Sequence, residues 1–259
     1  MRAGDILLLA IIAASLGAIL ADGAMNGALQ AWASASLPAI AARAGTALGW
    51  SGWVLSPLLL LPLLVALWTL ASTPPGALIG VMRGLVRTVE AVNVAIGDAA
   101  RWFALALVLV TATVVIQRYV FGYSSTKLQE SVIYLHALLF LMSAAATLLA
   151  GGHVRVDIIY SKLSEGGKAW TDILGAYLAL IPMCWLILIT SRGYVGGAWR
   201  ILEKSRESDG LPLVFALKTA IPVFAVMLAA QGAAMAARAA LKLAGEREPS
   251  KPAAADAEL

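Results

Sequence analysis

Apolar residues along this chain gather into six long runs. They cover residues 6–21, 54–71, 102–120, 131–150, 173–190 and 213–236. The hydrocarbon core of a bilayer is about 30 Å thick, and a helix needs roughly 20 mostly apolar residues to cross it. Each run spans or nearly spans that distance, so the pattern predicts an all-α membrane protein with no soluble domain between the crossings.

The fourth run has the most clearly marked ends. Between residues 131 and 152, His136 is the only residue of the acidic or basic types. Arg118-Tyr119-Val120-Phe121 and Gln129-Glu130 precede this run, and His153-Val154-Arg155-Val156-Asp157 follows it. Polar residues at such ends either meet interfacial water and lipid headgroups, or they fix helix packing or dock another protein. Their concentration around one run favours the second interpretation.

Residues 1–78 form an N-terminal hydrophobic extension with two runs. Arg2, a leucine-rich centre and small residues at 21–24 give the first run some likeness to a secretory signal sequence. Asp5 weakens the basic flank of such a signal, and we therefore favour a retained helix. The second run has Trp53 and Trp68 near its ends, where interfacial aromatic residues usually lie, and it is predicted to cross the membrane.

Residues 79–101 follow a different pattern, that of an amphipathic helix. Its apolar positions are Met82, Leu85, Val86, Val89, Val92, Val94 and Ile96, and its polar positions are Arg83, Arg87, Glu90, Asn93, Asp98 and Arg101. Such a segment is either a solvated linker helix or an arm lying at the membrane surface. We favour the interfacial arm helix.

The remaining chain is predicted to be a four-helix transmembrane core at 102–241 and a disordered tail at 242–259. Cytoplasmic loops carry an excess of Lys and Arg, and three basic groups fall on one side of the predicted topology. They are Arg83, Arg87 and Arg101, then Arg155, Lys162 and Lys168, and finally Arg238, Lys242, Arg247 and Lys251. The opposite side also holds basic residues, mixed with acids at 203–209. The balance predicts a cytoplasmic C-terminus and a cytoplasmic arm.

Composition supports a membrane protein. The chain is 61% hydrophobic and 13% charged with a mean hydropathy of +0.85, whereas a soluble domain has about 25% charged residues. The net charge of +4 is spread beside the apolar runs, which favours lipid headgroups over nucleic acid as a partner. The single cysteine, Cys184, excludes an internal disulfide, and no metal-ligand spacing is present.

The residue types and motifs that serve catalysis or transport in other proteins give little indication here of an enzyme or an independent carrier. There is no nucleophile or zinc-protease motif and no pair of carboxylates inside a run. His136 and His153 fall on one predicted helix roughly 25 Å apart, so they cannot share a haem. Apart from Arg118 at the end of the third run, Lys218 is the only Lys, Arg, Asp or Glu inside a predicted crossing, and its place near a helix start would let it reach the interface. We expect no enzyme activity, no cofactor and no metal.

The polar motifs give the chain a family resemblance. Two groups of residues carry it: those flanking the fourth run, and Glu203-Lys204-Ser205-Arg206-Glu207-Ser208-Asp209-Gly210-Leu211-Pro212 with Leu217-Lys218-Thr219 and Ile221-Pro222. In their order and spacing over about 98–238, the chain resembles the DctQ-type small permease subunit of tripartite ATP-independent periplasmic (TRAP) transporters. The second group resembles the mannitol/chloroaromatic branch.

The resemblance implies a division of labour in the bacterial inner membrane. A periplasmic solute-binding protein delivers a small solute, usually an organic acid, and a large M-type permease subunit moves it with a sodium gradient. The small subunit braces the large one and helps to receive the binding protein. The chain departs from the family pattern in two ways: many members have two adjacent carboxylates where this chain has Gln129-Glu130, and the extension before residue 79 adds one or two helices to the usual four.

These observations give two sets of candidate site residues. Arg118, Glu130, His153, Arg155 and Asp157 are expected to hold the core helices together or to contact the large subunit. Glu203, Arg206 and Lys218 are expected at the periplasmic face, where the binding protein docks. Two alternatives stay open: a haem-bearing or redox membrane anchor of a respiratory complex, and a self-sufficient channel or carrier.

Overall fold

The structure, a computed structural model, describes residues 2–152 and 157–252, with only the backbone described for Leu55, Asp157 and Ile159. Helices make up 82% of the fold, and the described residues contain no strand. The α-helices are α1 (Ala3–Ala24), α2 (Ala28–Leu55), α3 (Leu61–Trp68), α4 (Gly76–Tyr119), α5 (Thr126–Ala150), α6 (Asp157–Tyr160), α7 (Glu165–Gly175), α8 (Ile181–Ile201) and α9 (Val214–Leu243). A 3₁₀ segment, Ser56–Leu60, joins α2 to α3, and a π-helical segment, Ala176–Leu180, joins α7 to α8.

Six helical stretches of the described chain are long and apolar enough to cross a membrane. They are Ala3–Ala24, Ala28–Trp68, Gly76–Tyr119, Thr126–Ala150, Glu165–Ile201 and Val214–Leu243. Each contains or overlaps one of the six apolar runs. The all-α membrane fold is therefore confirmed.

The predicted arm and the third run form one continuous helix. Helix α4 is 44 residues long, which corresponds to about 65 Å, more than twice the thickness of a hydrocarbon core. It begins after Pro74 and Pro75 and contains no proline to interrupt it. The change from an amphipathic to an apolar pattern therefore marks a change of surroundings along a helix and not a break in it.

The second crossing begins earlier than its apolar run, because the alanine-rich residues after Ala28 have high helix propensity despite moderate hydropathy.

Prolines accompany a change of helical pitch in two of the crossings. In the second crossing, Pro57 lies in the 3₁₀ segment that follows α2. In the fifth crossing, Pro182 follows the π-helical segment. Proline cannot donate its backbone hydrogen bond and clashes with the preceding turn, and a local change of helical pitch relieves that clash.

The chain forms two compact units. The first comprises Met1–Trp50, Ala95–Ser143 and Thr190–Val223, and the second comprises Ser51–Val94, Ala144–Ile189 and Phe224–Leu259.

In the first unit, the start of α1 is attached to α4 by polar contacts. Arg2 pairs with Asp98 at 2.9 Å, and Asp5 accepts from Arg101 at 2.7 Å and from the Trp102 indole at 2.9 Å. Beyond this attachment α1 is largely exposed, with only 6% of its span buried. Helix α1 therefore contacts α4 through its first residues.

In the second unit, α9 provides a closely packed alanine face. Ala233, Ala234, Ala236, Ala237 and Ala240 are all fully buried. The buried residues packed together with this face come from α3, α4, α7 and the π-helical segment: Val65, Ala66, Ile79, Met82, Val86, Ala169, Ile173 and Ala176. Without a hydrophobic force between helices in lipid, small residues stabilise helix pairs by letting the backbones approach closely.

The same unit buries polar side chains of the predicted arm. Glu90 and Asn93 are 1% and 2% exposed. Glu90 receives two hydrogen bonds of 2.6 Å from the Arg238 guanidinium of α9, and the Asn93 amide donates to Gln231 at 2.8 Å. The polar side of the amphipathic pattern thus lies partly against another helix and not entirely in solvent.

The start of the predicted disordered tail also has defined contacts. Helix α9 continues to Leu243, two residues past the predicted end of the core. Arg238 donates to the Pro249 carbonyl at 2.7 Å, and Arg83 pairs with Glu246 at 2.7 Å. Two arginines, Arg83 and Arg238, therefore bind the described start of this tail, and disorder over residues 242–259 stays a prediction.

Candidate functional site

The connection between α8 and α9 holds the densest set of candidate residues. Helix α8 ends at Ile201, and Leu202 adopts a left-handed backbone conformation with φ of 45°. The Glu203 N–H then donates to the Ala198 carbonyl at 2.9 Å, which satisfies a helix-terminal acceptor. The chain leaves the helix at this point and forms the loop 202–213, which we call the α8–α9 loop.

Glu130, in the first turns of α5, binds this loop with both carboxylate oxygens. One oxygen accepts from the Ser205 hydroxyl, and the other accepts from the Leu211 backbone N–H at 2.6 Å. Ser205 and Leu211 are themselves joined by a backbone hydrogen bond of 3.1 Å. Hydrogen bonds to a charged acceptor are stronger than neutral ones. Glu130 therefore fixes the two sides of the α8–α9 loop with one side chain.

The close approach of Glu130 to the loop requires a glycine. A Cβ atom at Gly210 would lie 2.8 Å from a Glu130 carboxylate oxygen and would collide with the Ser205 side chain. The backbone of the loop can reach the carboxylate only because residue 210 has no side chain.

A second contact joins the same two elements at the surface. The Lys127 ammonium lies 2.7 Å from the Asp209 carboxylate, and both side chains are more than half exposed. A pair in that environment contributes little to stability, because water and salt compete for both charges. Lys127 therefore adds a weak surface contact between α5 and the α8–α9 loop, and Glu130 makes the main one.

Glu203 and Lys218 close the base of the loop. Their charged groups are 2.5 Å apart, and the Lys218 ammonium lies 3.9 Å from the centre of the Tyr194 ring. Lys218 is 13% exposed, so it does not extend freely toward the interface. The neighbouring Trp199 donates to Thr219 at 2.7 Å. These contacts join the last turns of α8 to the first turns of α9.

All of these residues lie within a stretch that matches a known family. Residues 107–242 match the family model described as Tripartite ATP-independent periplasmic transporters, DctQ component. The match covers just over half of the 259-residue chain. The chain belongs to this family. No curated protein and no solved structure matches it.

Membership of the DctQ family makes this chain a small membrane subunit of a TRAP transporter and a multi-pass protein of the inner membrane. A DctQ component works together with a large permease and a binding protein. The family is a transporter component and not an enzyme. The redox-anchor alternative receives no support from the match, and the described residues contain no group of three acidic, histidine or cysteine side chains able to hold a metal.

The structure brings together only some of the predicted site residues of this DctQ chain. Glu130 is bound to the α8–α9 loop, and Glu203 and Lys218 form an ion pair. Arg206 is exposed within the loop, and Arg118 is exposed at the end of α4. Neither arginine makes an ion pair with another described residue.

The remaining candidates follow α5. His153 and Arg155 lie outside the described residues, and so does the side chain of Asp157, whose backbone begins α6. The role expected of these three side chains, in helix packing or in contact with the large subunit, therefore stays a prediction.

Several residues of the site were not expected from the sequence. Ser205, Gly210 and Leu211 complete the binding of Glu130, and Tyr194 and Trp199 complete the base of the loop. Ser205, Gly210 and Leu211 were part of the quoted motif at 203–212, but the motif does not say which of its members face α5. The Glu90–Arg238 pair was also missed. A lone arginine among the alanines of α9 was the available indication.

Proposed function

We propose that this chain braces the large M-type permease of a sodium-coupled TRAP transporter for organic acids and helps to dock its periplasmic binding protein. We assign it to the mannitol/chloroaromatic-like branch because of the motif at 203–212 together with Lys218. The large permease then moves the solute. In support, two charged residues of the helices are bound within this chain: Lys218 of α9 pairs with Glu203, and Glu90 of α4 pairs with Arg238.

One observation carries the proposal: the α8–α9 loop is charged, and side chains of α5 and α9 bind it. Glu130, Glu203 and Lys218 use their charges to fix the loop. Lys204, Arg206 and Glu207 remain exposed on it. A soluble partner is recognised best by charged groups whose positions are already fixed, because less conformational entropy is lost on binding.

We place the α8–α9 loop on the periplasmic side and the C-terminus and the predicted arm on the cytoplasmic side. The distribution of Lys and Arg supports this orientation. In this arrangement, Glu203, Arg206 and Lys218 belong to the face that meets the binding protein. Arg118, Glu130, His153, Arg155 and Asp157 keep the core helices or the large subunit in register.

The docking role is tested by reversing the charge of Arg206. All three components are reconstituted in proteoliposomes, and uptake is followed as the binding-protein concentration is varied. Arg206→Glu is expected to raise the concentration of binding protein needed for half-maximal uptake and to leave the membrane complex intact, because Arg206 makes no ion pair with another described residue. Lys251→Glu, in the tail, is the matched control and is expected to have no effect. Equal half-maximal concentrations for Arg206→Glu and the unsubstituted chain would contradict the docking role.

The bracing role is tested at Glu130 and Asp157. Alanine at either position is expected to lower uptake by weakening assembly with the large permease, which is measured by co-purification in mild detergent. Normal uptake with an intact complex in both variants contradicts this role.

Omitting the sodium gradient tests the proposed sodium coupling, and comparing the uptake of a panel of organic acids tests the proposed substrate class. Both measurements use the same vesicles.

A further inference from the structure

Helix α5 has an exposed stripe that carries a histidine. After Lys127 at its charged start, its exposed residues are Gln129, Ile133, His136 and Phe140. They are spaced four, three and four residues apart, which keeps them on one side of an α-helix. Ile133 and Phe140 are each 62% exposed. From residue 141 to the end of α5, every residue is buried or half-buried.

His136 is chemically unusual for a surface that faces lipid. It lies ten residues into α5, about 15 Å along the helix, and inside the apolar run 131–150 that is expected to cross the bilayer core. Its ring packs against Phe140 with 4.7 Å between centroids. It makes no hydrogen bond or ion pair with another described residue. A polar group in hydrocarbon without a hydrogen-bonding partner is costly, and such residues usually face protein.

The exposed side of α4 in the same unit provides a contrast. Leu105, Val108 and Leu109 are between 51% and 65% exposed there, and aliphatic residues of this kind are compatible with acyl chains. Acyl chains offer the imidazole no hydrogen-bond acceptor or donor. The stripe on α5 therefore fits a protein helix better than lipid.

We propose that Gln129, Ile133, His136 and Phe140 form the seam along which a transmembrane helix of the large permease subunit packs, with a hydrogen-bonding group of that helix opposite His136. The seam has the spacing of apolar positions in packed helix pairs, with Ile133 and Phe140 as the apolar contacts. This inference rests on the proposed bracing function, and it specifies the side of the chain that does the bracing.

Photo-crosslinking tests the position of the seam. The chain is expressed with its own large permease, and p-benzoylphenylalanine replaces Ile133 or Phe140 in one pair of variants and Val108 or Leu109 in the control pair. The expected result is a crosslink to the large permease from both α5 positions and from neither α4 position. Crosslinks from α4 alone, from α5 to a second copy of this chain, or from α5 to lipid alone would each overturn the seam.

Substitution of His136 tests its hydrogen bond. His136→Leu is expected to reduce the large permease recovered with the chain about threefold, the size of an average side-chain hydrogen bond between membrane helices. His136→Gln, which retains a donor and an acceptor, is expected to recover most of the loss, and Val108→Leu to have no effect. Thermal unfolding of each isolated variant in detergent is the control for folding, and an unchanged midpoint is expected. Full recovery of the permease with His136→Leu overturns the hydrogen bond.

The two possible failures are distinguishable. If the large permease co-purifies with the unsubstituted chain but crosslinks only outside the stripe, the bracing function stands and the seam is wrong. If no large permease co-purifies with the unsubstituted chain, the bracing function itself fails and the seam fails with it.

Discussion

The Glu130 network of the first compact unit and the Glu90–Arg238 pair of the second differ in burial. In the first unit, Glu130 holds the α8–α9 loop where its surroundings are half-exposed. In the second unit, the side chains of Glu90 and Arg238 are 1% and 10% exposed. Water can replace a lost partner at the first network but not at the second. The Glu130 network orders a loop, whereas the packing of α4 against α9 depends on the Glu90–Arg238 pair.

The two networks also differ in what surrounds them. The Glu90–Arg238 pair lies beside the alanine face of α9, where the helix backbones are close and side chains have little freedom to move. The Glu130 network lies at a helix start beside a loop, where the backbone itself supplies one of the hydrogen-bond donors. We therefore expect changes in the second unit to affect global stability and changes in the first to affect local order and docking.

The largest effect is expected from breaking the buried pair. Arg238→Leu leaves the Glu90 carboxylate buried without its counter-charge, which is expected to cost about 3–5 kcal/mol of stability. Thermal unfolding in detergent measures the loss. The exposed Arg87 on the same helix as Glu90 supplies the control, and Arg87→Leu is expected to change stability little.

A double variant sharpens this result. Glu90→Leu combined with Arg238→Leu removes both charges and is expected to be more stable than Arg238→Leu alone, because no unpaired charge is then buried. If Arg238→Leu is as stable as the unsubstituted chain, the contrast between the two networks is lost.

An intermediate effect is expected from filling the space at Gly210. Gly210→Ala forces Ser205 and Glu130 apart and is expected to cost about 1–3 kcal/mol, the usual result of inserting a methyl group where none fits. Trypsin cleavage at Lys204 and Arg206 should accelerate as the loop loses its contacts.

The matched control for Gly210 is Gly193 of α8, around which a Cβ atom would meet nothing within 4 Å. Gly193→Ala is expected to be neutral or slightly stabilising, because alanine is the better helix former. Equal cleavage rates in the two alanine variants would mean that the loop does not depend on the close approach of Glu130.

The smallest effect is expected from the exposed pair. Lys127→Ala removes a contact that is more than half exposed on both sides, so we expect a slight loss of loop protection at low salt and none at high salt. Trypsin protection measured across a salt series checks this. A large loss of trypsin protection that does not depend on salt would mean that Lys127, like Glu130, is needed to hold the α8–α9 loop in place.

Local sequence patterns predicted much of the fold and part of the site. The six crossings follow from runs of apolar residues, and the helix over 79–101 follows from its periodicity. The same patterns did not predict that this helix continues into the third crossing, because a change in hydropathy resembles a boundary. Glu130, Glu203 and Lys218 were candidates because they are charged residues near the ends of predicted helices, and the structure places all three in contacts of the α8–α9 loop. Ser205 and Gly210 were not distinguished from their neighbours, because their roles depend on contact with a distant helix.

The sequence by itself determined that this is an all-helical membrane protein, and its motifs indicated the family to which it belongs. Both follow from local features, since burial in lipid needs only length and hydrophobicity. Tertiary structure alone decided which charges meet. Glu90 and Arg238 are 148 positions apart, and Glu130 and Ser205 are 75 apart. Many acidic and basic residues lie at helix ends in this chain, and only the packing of helices fixes which pairs come within hydrogen-bonding distance.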